Sequence, residues 1–388
     1  MQRRSFISLV HCGMAAFAKG VLLFLAAFCV VATALPFVRE PYWWVRMFDF
    51  PRLQLTILAL VVLVLYGLVH VWQGEAGTLE WVVFALLTVT AAYQAVRMYP
   101  YSRYAHEQVV AAEAPDPART LCLVVSNVLM DNRDAERWLR VVRAAEPDVI
   151  VTVETSAWWV ARLRQGLGDY PHRVEVPLEN TYGMAVYSRL PLEGAEVRHL
   201  VEPDVPSVRT WIRLRSGERV YAVFLHPRPP RPDIGQDATY RDAELILVAR
   251  EVAEVRAPVV VAGDLNDVAW SHSTHLFQRL SRLLDPRVGR GRFSTFHADY
   301  LFLRWPLDHV FHSEHFALGD LRRLDGVGSD HFPILAELVL APEQRGEQAP
   351  PEPEGAEHEE ARERVEEAGE ALSEESPAEA QERRQEDR

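Results

Sequence analysis

PVVVAGDLND, residues 258–267, is the stretch on which the reading of this chain turns. Val259 to Ala262 is an apolar run ended by Gly263 and followed at once by Asp264, Leu265 and Asn266, the pattern of a buried strand that breaks into a loop at its carboxyl end. Side chains of an extended segment alternate, so Asp264 and Asn266 are expected on one face. A carboxylate there orients or deprotonates a water, and a neutral amide beside it holds a phosphate oxygen or a metal-bound ligand without adding repulsion. Alone, these residues fit equally well a loop of local turn hydrogen bonds.

The stretches around it decide between the two. LCLVVSN (121–127) and DVIVTVE (148–154) read as buried strands separated by an amphipathic helix over 133–147. GMAVYS (183–188), RVYAVFLH (219–226), PLDHVFHS (306–313) and HFPILAELVL (331–340) read as further strands, and 238–256 as a helix leading into Val259. Strand after strand ends in a polar residue: Asn127, Glu154, His226, then Asp264 with Asn266, while Asp308 sits just inside its strand and Ser329, Asp330 and His331 open the last one. Open α/β sheets build their sites at such ends. Glu, Asp and Asn are hard oxygen donors suited to Mg²⁺ or Mn²⁺, and histidine beside carboxylates supplies acid–base or phosphate-stabilising chemistry near neutral pH. Cys12, Cys29 and Cys122 form neither a disulfide framework nor a zinc spacing.

The 388 residues allow more than one unit. Residues 1–103 form an expected membrane region with three transmembrane helices, in 15–37, 53–72 and 79–99, each near the ~20 residues needed to cross a bilayer. Trp43, Trp44, Trp72, Trp81 and Tyr99 mark the segment ends, as interfacial aromatics do. Arg3, Arg4 and Lys19 favour an inside amino terminus, but Arg39, Arg46, Arg52, Arg97 and Arg103 then fall outside, so the positive-inside bias leans only slightly to an extracytoplasmic catalytic unit. A single lysine among 41 Lys and Arg reads as the codon bias of a GC-rich genome, and a bacterial inner membrane is the expected location. Residues 104–120 read as a linker and 121–341 as the catalytic domain. The tail, 342–388, is expected to be disordered: it holds 17 Asp/Glu against 6 Arg, and few large apolar residues. It accounts for eleven of the thirteen net negative charges, so the remainder is close to neutral and its acidity does not exclude an anionic substrate.

From about Leu121 to Leu340 the chain resembles the endonuclease/exonuclease/phosphatase superfamily, the fold of DNase-type nucleases, abasic-site endonucleases, inositol polyphosphate phosphatases and neutral sphingomyelinases. The resemblance rests on SN (126–127), DVIVTVE, GMAVYSRLPL (183–192), HP (226–227), GDLN (263–266), LDHVF (307–311) and SDHFP (329–333), in the family's order. It implies a four-layer α/β sandwich of two mixed sheets flanked by helices, and divalent-metal-assisted attack of water on a phosphate ester. By position it implies Glu154 as principal metal ligand with Asn127 beside it and Asp330 contributing. It further implies Asp264 as the group acting on the water, Asn266 holding the water or a phosphate oxygen, and His331 facing the scissile phosphate, oriented by Asp308. His226 would be a second histidine, general acid or phosphate donor. Ser188 and Arg189 are expected to be structural, His272, His275, His297, His312 and His315 surface or supporting residues, and Thr295 and Arg209 possible substrate contacts.

Fold does not choose the phosphate ester. A nuclease reading draws on Arg287, Arg290 and Arg292 in RVGRGR, with Arg228 and Arg231, as contacts to a phosphate backbone. A phospholipase-C-like or small-ester reading draws on the membrane segments, with SAWWV (156–160) and WPL (305–307) as interfacial aromatics. A third reading, a catalytically inactive membrane adaptor with an acidic recruiting tail, sits poorly with a motif set in which none of Glu154, Asp264, Asn266, Asp330 or His331 is missing.

Overall fold

A computed structural model describes residues 2–73, 77–231 and 236–374, with side chains described at Met14 and from residue 16 onward apart from Trp72 and Gln73. Trp72, Arg3, Arg4 and the tail beyond 374 therefore lie outside the described residues or side chains. The chain divides into two compact units, the first made of residues up to 40 with 44–100 and the second of 41–43 with the chain from 101 onward.

The first unit contains α1 (Gln2–Ala34), a single helical turn α2 (Trp43–Arg46), α3 (Arg52–Gln73) and α4 (Thr78–Met98). Three helical stretches, Ala16–Phe37, Arg52–Val71 and Thr78–Tyr101, are long and apolar enough to cross a membrane. Cys29, Ala59, Val62, Tyr66 and Leu87 pack in a small core, while Phe17, Val64, Val71 and Val89 point outward. A helical unit whose outer surface is this apolar suits lipid as its surroundings. Arg46 and Arg52 both pair with Asp49, at 3.6 and 2.6 Å, so two of the arginines counted for topology are not bare charges.

The second unit is built from two sheets. One runs β10–β11–β1–β2–β4–β3 and the other β5–β6–β7–β8–β9. The strands of the first are β1 (Thr120–Asn127), β2 (Val149–Val153), β3 (His172–Val176), β4 (Met184–Ser188), β10 (Phe316–Arg323) and β11 (Ile334–Leu340). Those of the second are β5 (Leu192–Arg198), β6 (Ser207–Arg213), β7 (Arg219–Leu225), β8 (Val259–Asp264) and β9 (Asp308–His312). Helices α5 (Ala135–Ala144) and α6 (Ala157–Gly166) flank one sheet; α7 (Thr239–Ala253), α8 (His272–Ser281) and α9 (Gly355–Glu374) flank the other. Period-2 alternation makes the four layers. Leu123 and Val125 of β1 meet Val260 and Ala262 of β8 between the sheets, whereas Val124 turns to Trp138 and Val142 of α5, and Val261 turns to Leu245 of α7. Each fully buried Val or Leu contributes roughly 1.5–3 kcal/mol, so both faces of the central strands hold the sandwich together.

Each sheet contains one parallel pair joined through a helix, β1 with β2 and β7 with β8. Their carboxyl ends fall at one edge. β9 runs antiparallel to β8 with Asp264 opposite Asp308, and β11 runs antiparallel to β1 with Ile334 opposite Val125, so the residues opening β9 and preceding β11 arrive at the same edge.

Two expectations need correction. The linker is partly core: Val109 is fully buried between the sheets, and the backbone of 110–112 bonds Leu318 of β10. The tail is ordered through 374. Its helix α9 buries only small apolar residues, Ala361 and Ala368, so hydrophobic patterning could not reveal it. Charge holds it instead: Arg364 donates to Asp242 at 2.8 Å, and Glu360 accepts from Arg364 at 3.0 Å and pairs with His272 at 2.7 Å.

Burial pushes the Glu360 carboxyl up, but His272 and Arg364 outweigh it and bring it down to about 2. A depressed carboxylate stabilises above its unfolded value of about 4.3 and loses that contribution as pH falls toward its folded value. Hydrogen-exchange protection across 355–374 is therefore expected to hold from pH 7 to about 5 and to fall between about pH 4 and 2, with Glu360→Gln less protected already at pH 7. Gly263 gives a second test. Its φ of +154° and a Cβ that would sit 1.8 Å from the Leu225 carbonyl oxygen leave no room for a side chain, so Gly263→Ala should lower unfolding stability by at least about 2–3 kcal/mol in a thermal melt.

Candidate active site

The parallel register sets Asn127 beside Val153, and the chain then turns at Glu154, whose φ of +58° is unusual for a residue with a side chain. The turn is pinned from the far side, because a Cβ on Gly183 would come within 2.2 Å of the Thr155 carbonyl oxygen, and Thr155 N donates to Gly183 O at 2.8 Å. Glu154 accepts from Asn127 Nδ2 at 2.7 Å and from Met130 N at 3.2 Å. The same Asn127 nitrogen reaches Asp264 at 3.1 Å, joining the two sheets through one amide. The Asn127 oxygen accepts from Leu129 N at 2.9 Å, which fixes the amide with its nitrogen inward. In this arrangement the amide nitrogen, not the oxygen expected to serve as a ligand, faces the two carboxylates.

Asp264 is fully buried at the end of β8. The strand stops there, so strand alternation does not extend to Asn266. That residue enters at φ +51°, its backbone N–H donating to Asp264 Oδ1 at 3.0 Å and its side-chain nitrogen to Pro227 O at 2.9 Å. The strand and the turn readings of GDLN are thus both right, for successive residues. From the second sheet's other ends come His226, 3.8 Å from Asp264, and Asp308, which accepts from His331 Nδ1 at 2.8 Å. His331 Nε2 lies 3.6 Å from Asp264. Asp330 lies at the same edge, where its charge acts on both Glu154 and His331.

All eight residues singled out from the sequence thus meet at one edge. Their protonation is divided by surroundings. Burial opposes charge on His331, but Asp308 and Asp264 overcome it and raise its pKa to about 10, so it is an imidazolium at neutral pH. Burial lowers His226 to about 4, leaving it neutral at pH 7. Burial raises Asp264, with His331 opposing. Burial also lifts Glu154 to about 7 against the Asn127 hydrogen bond.

Several residues around the site depart from their expected places. Thr295 is no substrate contact: its hydroxyl accepts from the backbone N–H of Leu307 and Asp308 at 3.3 and 3.2 Å. Arg241 of α7 donates to Asn266 O at 3.0 Å and to Asp242 at 2.8 Å, and Asp242 receives Arg364 of α9, so a chain of buried charges runs from the tail helix to the GDLN turn. Only a lone Arg–Asp pair in a helix signalled this. Arg228 is buried against Glu202 and Tyr182, Arg287 against Asp285 and His309, and Arg290 donates to Val109 O; the basic cluster expected to meet nucleic acid is largely consumed inside the protein. Arg209 pairs with Glu196 on the second sheet. Trp159 is core, bonded to Leu129 O, and His312, expected at the surface or in a supporting place, is fully buried.

Residues 124–331, more than half of the chain, match the Endonuclease/Exonuclease/phosphatase family. The chain belongs to that family. No curated protein matches it. Among solved structures, an endonuclease/exonuclease/phosphatase family protein from Bacteroides thetaiotaomicron is 19% identical, covering 59% of this chain and 98% of its own, with a TM-score of 0.47. D. rerio TDP2, solved with a single-strand DNA product, is 16% identical over 56% of this chain and 98% of its own, TM-score 0.47. The human Nocturnin catalytic domain with bound sulfate is 14% identical over 62% and 99%, TM-score 0.46.

The family implies a divalent cation, and the donor chemistry fits one. Glu154, Asp264, Asp308 and Asp330 gather around a single imidazolium, Asp264 and Asp308 fully buried and Glu154 and Asp330 partly so, an excess of carboxylate that a hard cation would balance. Asp264, Asp308 and His331 offer atoms within 4.8 Å of one another. There, however, the Nδ1 atom is already given to Asp308 and the ring is protonated, and an imidazolium is not a ligand. Glu154, with Asp330 nearby, could hold a cation instead. Titration of Mn²⁺ into the full chain, followed by calorimetry, should show affinity reduced at least about tenfold by Glu154→Gln and changed little by His226→Ala.

Proposed function

We propose that this protein is a membrane-anchored, Mg²⁺- or Mn²⁺-dependent phosphodiesterase that hydrolyses its substrate by direct attack of water. The observation that carries this reading is the Asp308–His331–Asp264 arrangement: a buried imidazolium held 2.8 Å from one carboxylate and 3.6 Å from another that burial has made more basic.

Asp264 takes the proton of the attacking water. Its raised pKa suits a base at neutral pH, and Asn127 Nδ2 and Asn266 N fix its two oxygens. Asn266, anchored through Pro227 O, turns its carboxamide oxygen to the water. His331, oriented by Asp308, places positive charge where the phosphoryl oxygens become more negative. The water oxygen–phosphorus bond forms, the bond from phosphorus to the leaving oxygen breaks, and the His331 imidazolium gives its proton to that oxygen. His226, neutral, donates a hydrogen bond to the phosphate. Glu154 and Asp330 would hold the divalent ion, which when bound supplies charge stabilisation to the phosphoryl group and the leaving oxygen. Asn127 positions Glu154 and Asp264 as a pair.

The full chain in detergent, assayed with Mg²⁺ or Mn²⁺ on a soluble aryl phosphodiester, plasmid DNA, RNA and phosphatidylcholine micelles, is expected to hydrolyse at least one of them and to stop with EDTA. Asp264→Ala should lower kcat by about 10²–10⁴, and Asp308→Asn should lower it by less while leaving the thermal melt close to that of the wild type. Wild-type rates in EDTA would refute the metal-dependent reading.

A further inference from the structure

The stretch Tyr300–Leu303, YLFL, is 58, 68, 81 and 48% exposed in turn. Elsewhere in the same unit the exposed large apolar residues among those described are Tyr42, Tyr104 and Val197, scattered singly in the sequence. Single exposed apolar side chains need no explanation, but four in succession do.

The exposure is built in. The loop's neck is tied: His297 N donates to Leu303 O at 2.9 Å, Leu303 N to Tyr300 O at 3.1 Å, and Arg304 donates to the carbonyls of His297 and Ala298 at 3.2 and 2.7 Å. Arg304 and Arg323 both lie over the Phe332 ring, at 5.0 and 4.2 Å, so two guanidinium groups stand at the base of an apolar tip. The root of the loop is at the active site. Phe296 packs on the His331 ring at 4.9 Å, and Ala298 N donates to Asp330 O at 2.6 Å.

We propose that Tyr300–Leu303 is a bilayer-docking tip that seats the polar edge of the sandwich against lipid, making phosphodiesters of membrane lipids the substrate class. This second step rests on the phosphodiesterase reading; the docking itself does not. Apolar residues beyond a pair of arginines match the layering of a bilayer surface, hydrocarbon inside and phosphate at the level of the cations. Three helices able to cross a membrane in the same chain would keep lipid at high local concentration. The arginines on which a polynucleotide reading drew, Arg228, Arg287 and Arg290, are by contrast engaged internally.

The test uses the full chain, with its three cysteines replaced, reconstituted in vesicles of phosphatidylcholine and phosphatidylglycerol with or without brominated acyl chains. A bimane fluorophore is placed at Leu301→Cys or, as reference, at Ser216→Cys in the turn before β7, at the strand ends away from the site. Bromolipid should quench residue 301 at least about twofold, as insertion some 5–10 Å deep requires, and leave residue 216 bright. Equal quenching at both positions overturns the docking. In parallel, the ratio of phosphatidylcholine hydrolysis to soluble-ester hydrolysis should fall about tenfold in the double variant Leu301→Ser, Phe302→Ser, a change in partitioning of the order expected when two large apolar side chains leave the interface. An unchanged ratio, or wild-type hydrolysis of the soluble ester alone, overturns the lipid assignment. Hydrolysis of neither would also overturn the lipid assignment; the phosphodiesterase reading itself would fall only if plasmid DNA and RNA were left intact as well, and the quenching would still decide the docking.

Discussion

One amide ties the second unit's chemistry together. Asn127 Nδ2 spans from Glu154 on the first sheet to Asp264 on the second, and its oxygen is held by the backbone two residues on. Two carboxylates that would otherwise repel, Asp264 fully buried and Glu154 partly so, are thereby set side by side through a neutral donor, and only Asp264 also faces the His331 imidazolium. The price is visible in their surroundings: burial raises both, and Glu154 is reached only through a left-handed backbone. Such a site is stable only because the sheets behind it are closely packed on both faces.

The two histidines show how position, not residue type, sets chemistry. His226 and His331 both lie within 4 Å of Asp264 and both are buried. His331 has a second carboxylate, Asp308, on its other nitrogen, and becomes a cation; His226 has an unpartnered Nδ1 and stays neutral. A site that keeps one imidazole charged and the other uncharged at the same pH can bind a phosphate through both and move a proton through one.

The strands that deliver the site were legible because their apolar runs end abruptly in Asn127, Glu154, His226 and Asp264, and a buried strand of that kind has little alternative. Less was legible where exposure or charge replaced apolar pattern. β5 is mostly solvent-facing, β3 half-buried, and α9 is held by ion pairs, so their sequences look like loop or tail. Among site residues, the identity of each was readable from the motifs, but not the inward nitrogen of Asn127, which depends on the Leu129 backbone, nor the neutrality of His226, which depends on burial. Nor was the exposed apolar stretch, since YLFL reads in sequence like any core segment, and the aromatic candidate WPL begins two residues after it. Only the tied neck and the Phe296–His331 contact show that it stands at the rim of the site.

The division of labour within the site, a divalent ion toward Glu154 and a proton-bearing His331 between Asp308 and Asp264, is tested most directly by crystals of the full chain grown with Mn²⁺ and measured at its absorption edge. The account predicts an anomalous peak against the Glu154 carboxylate, on the Asp330 side. A peak enclosed by Asp264, Asp308 and His331, with none at Glu154, would contradict it.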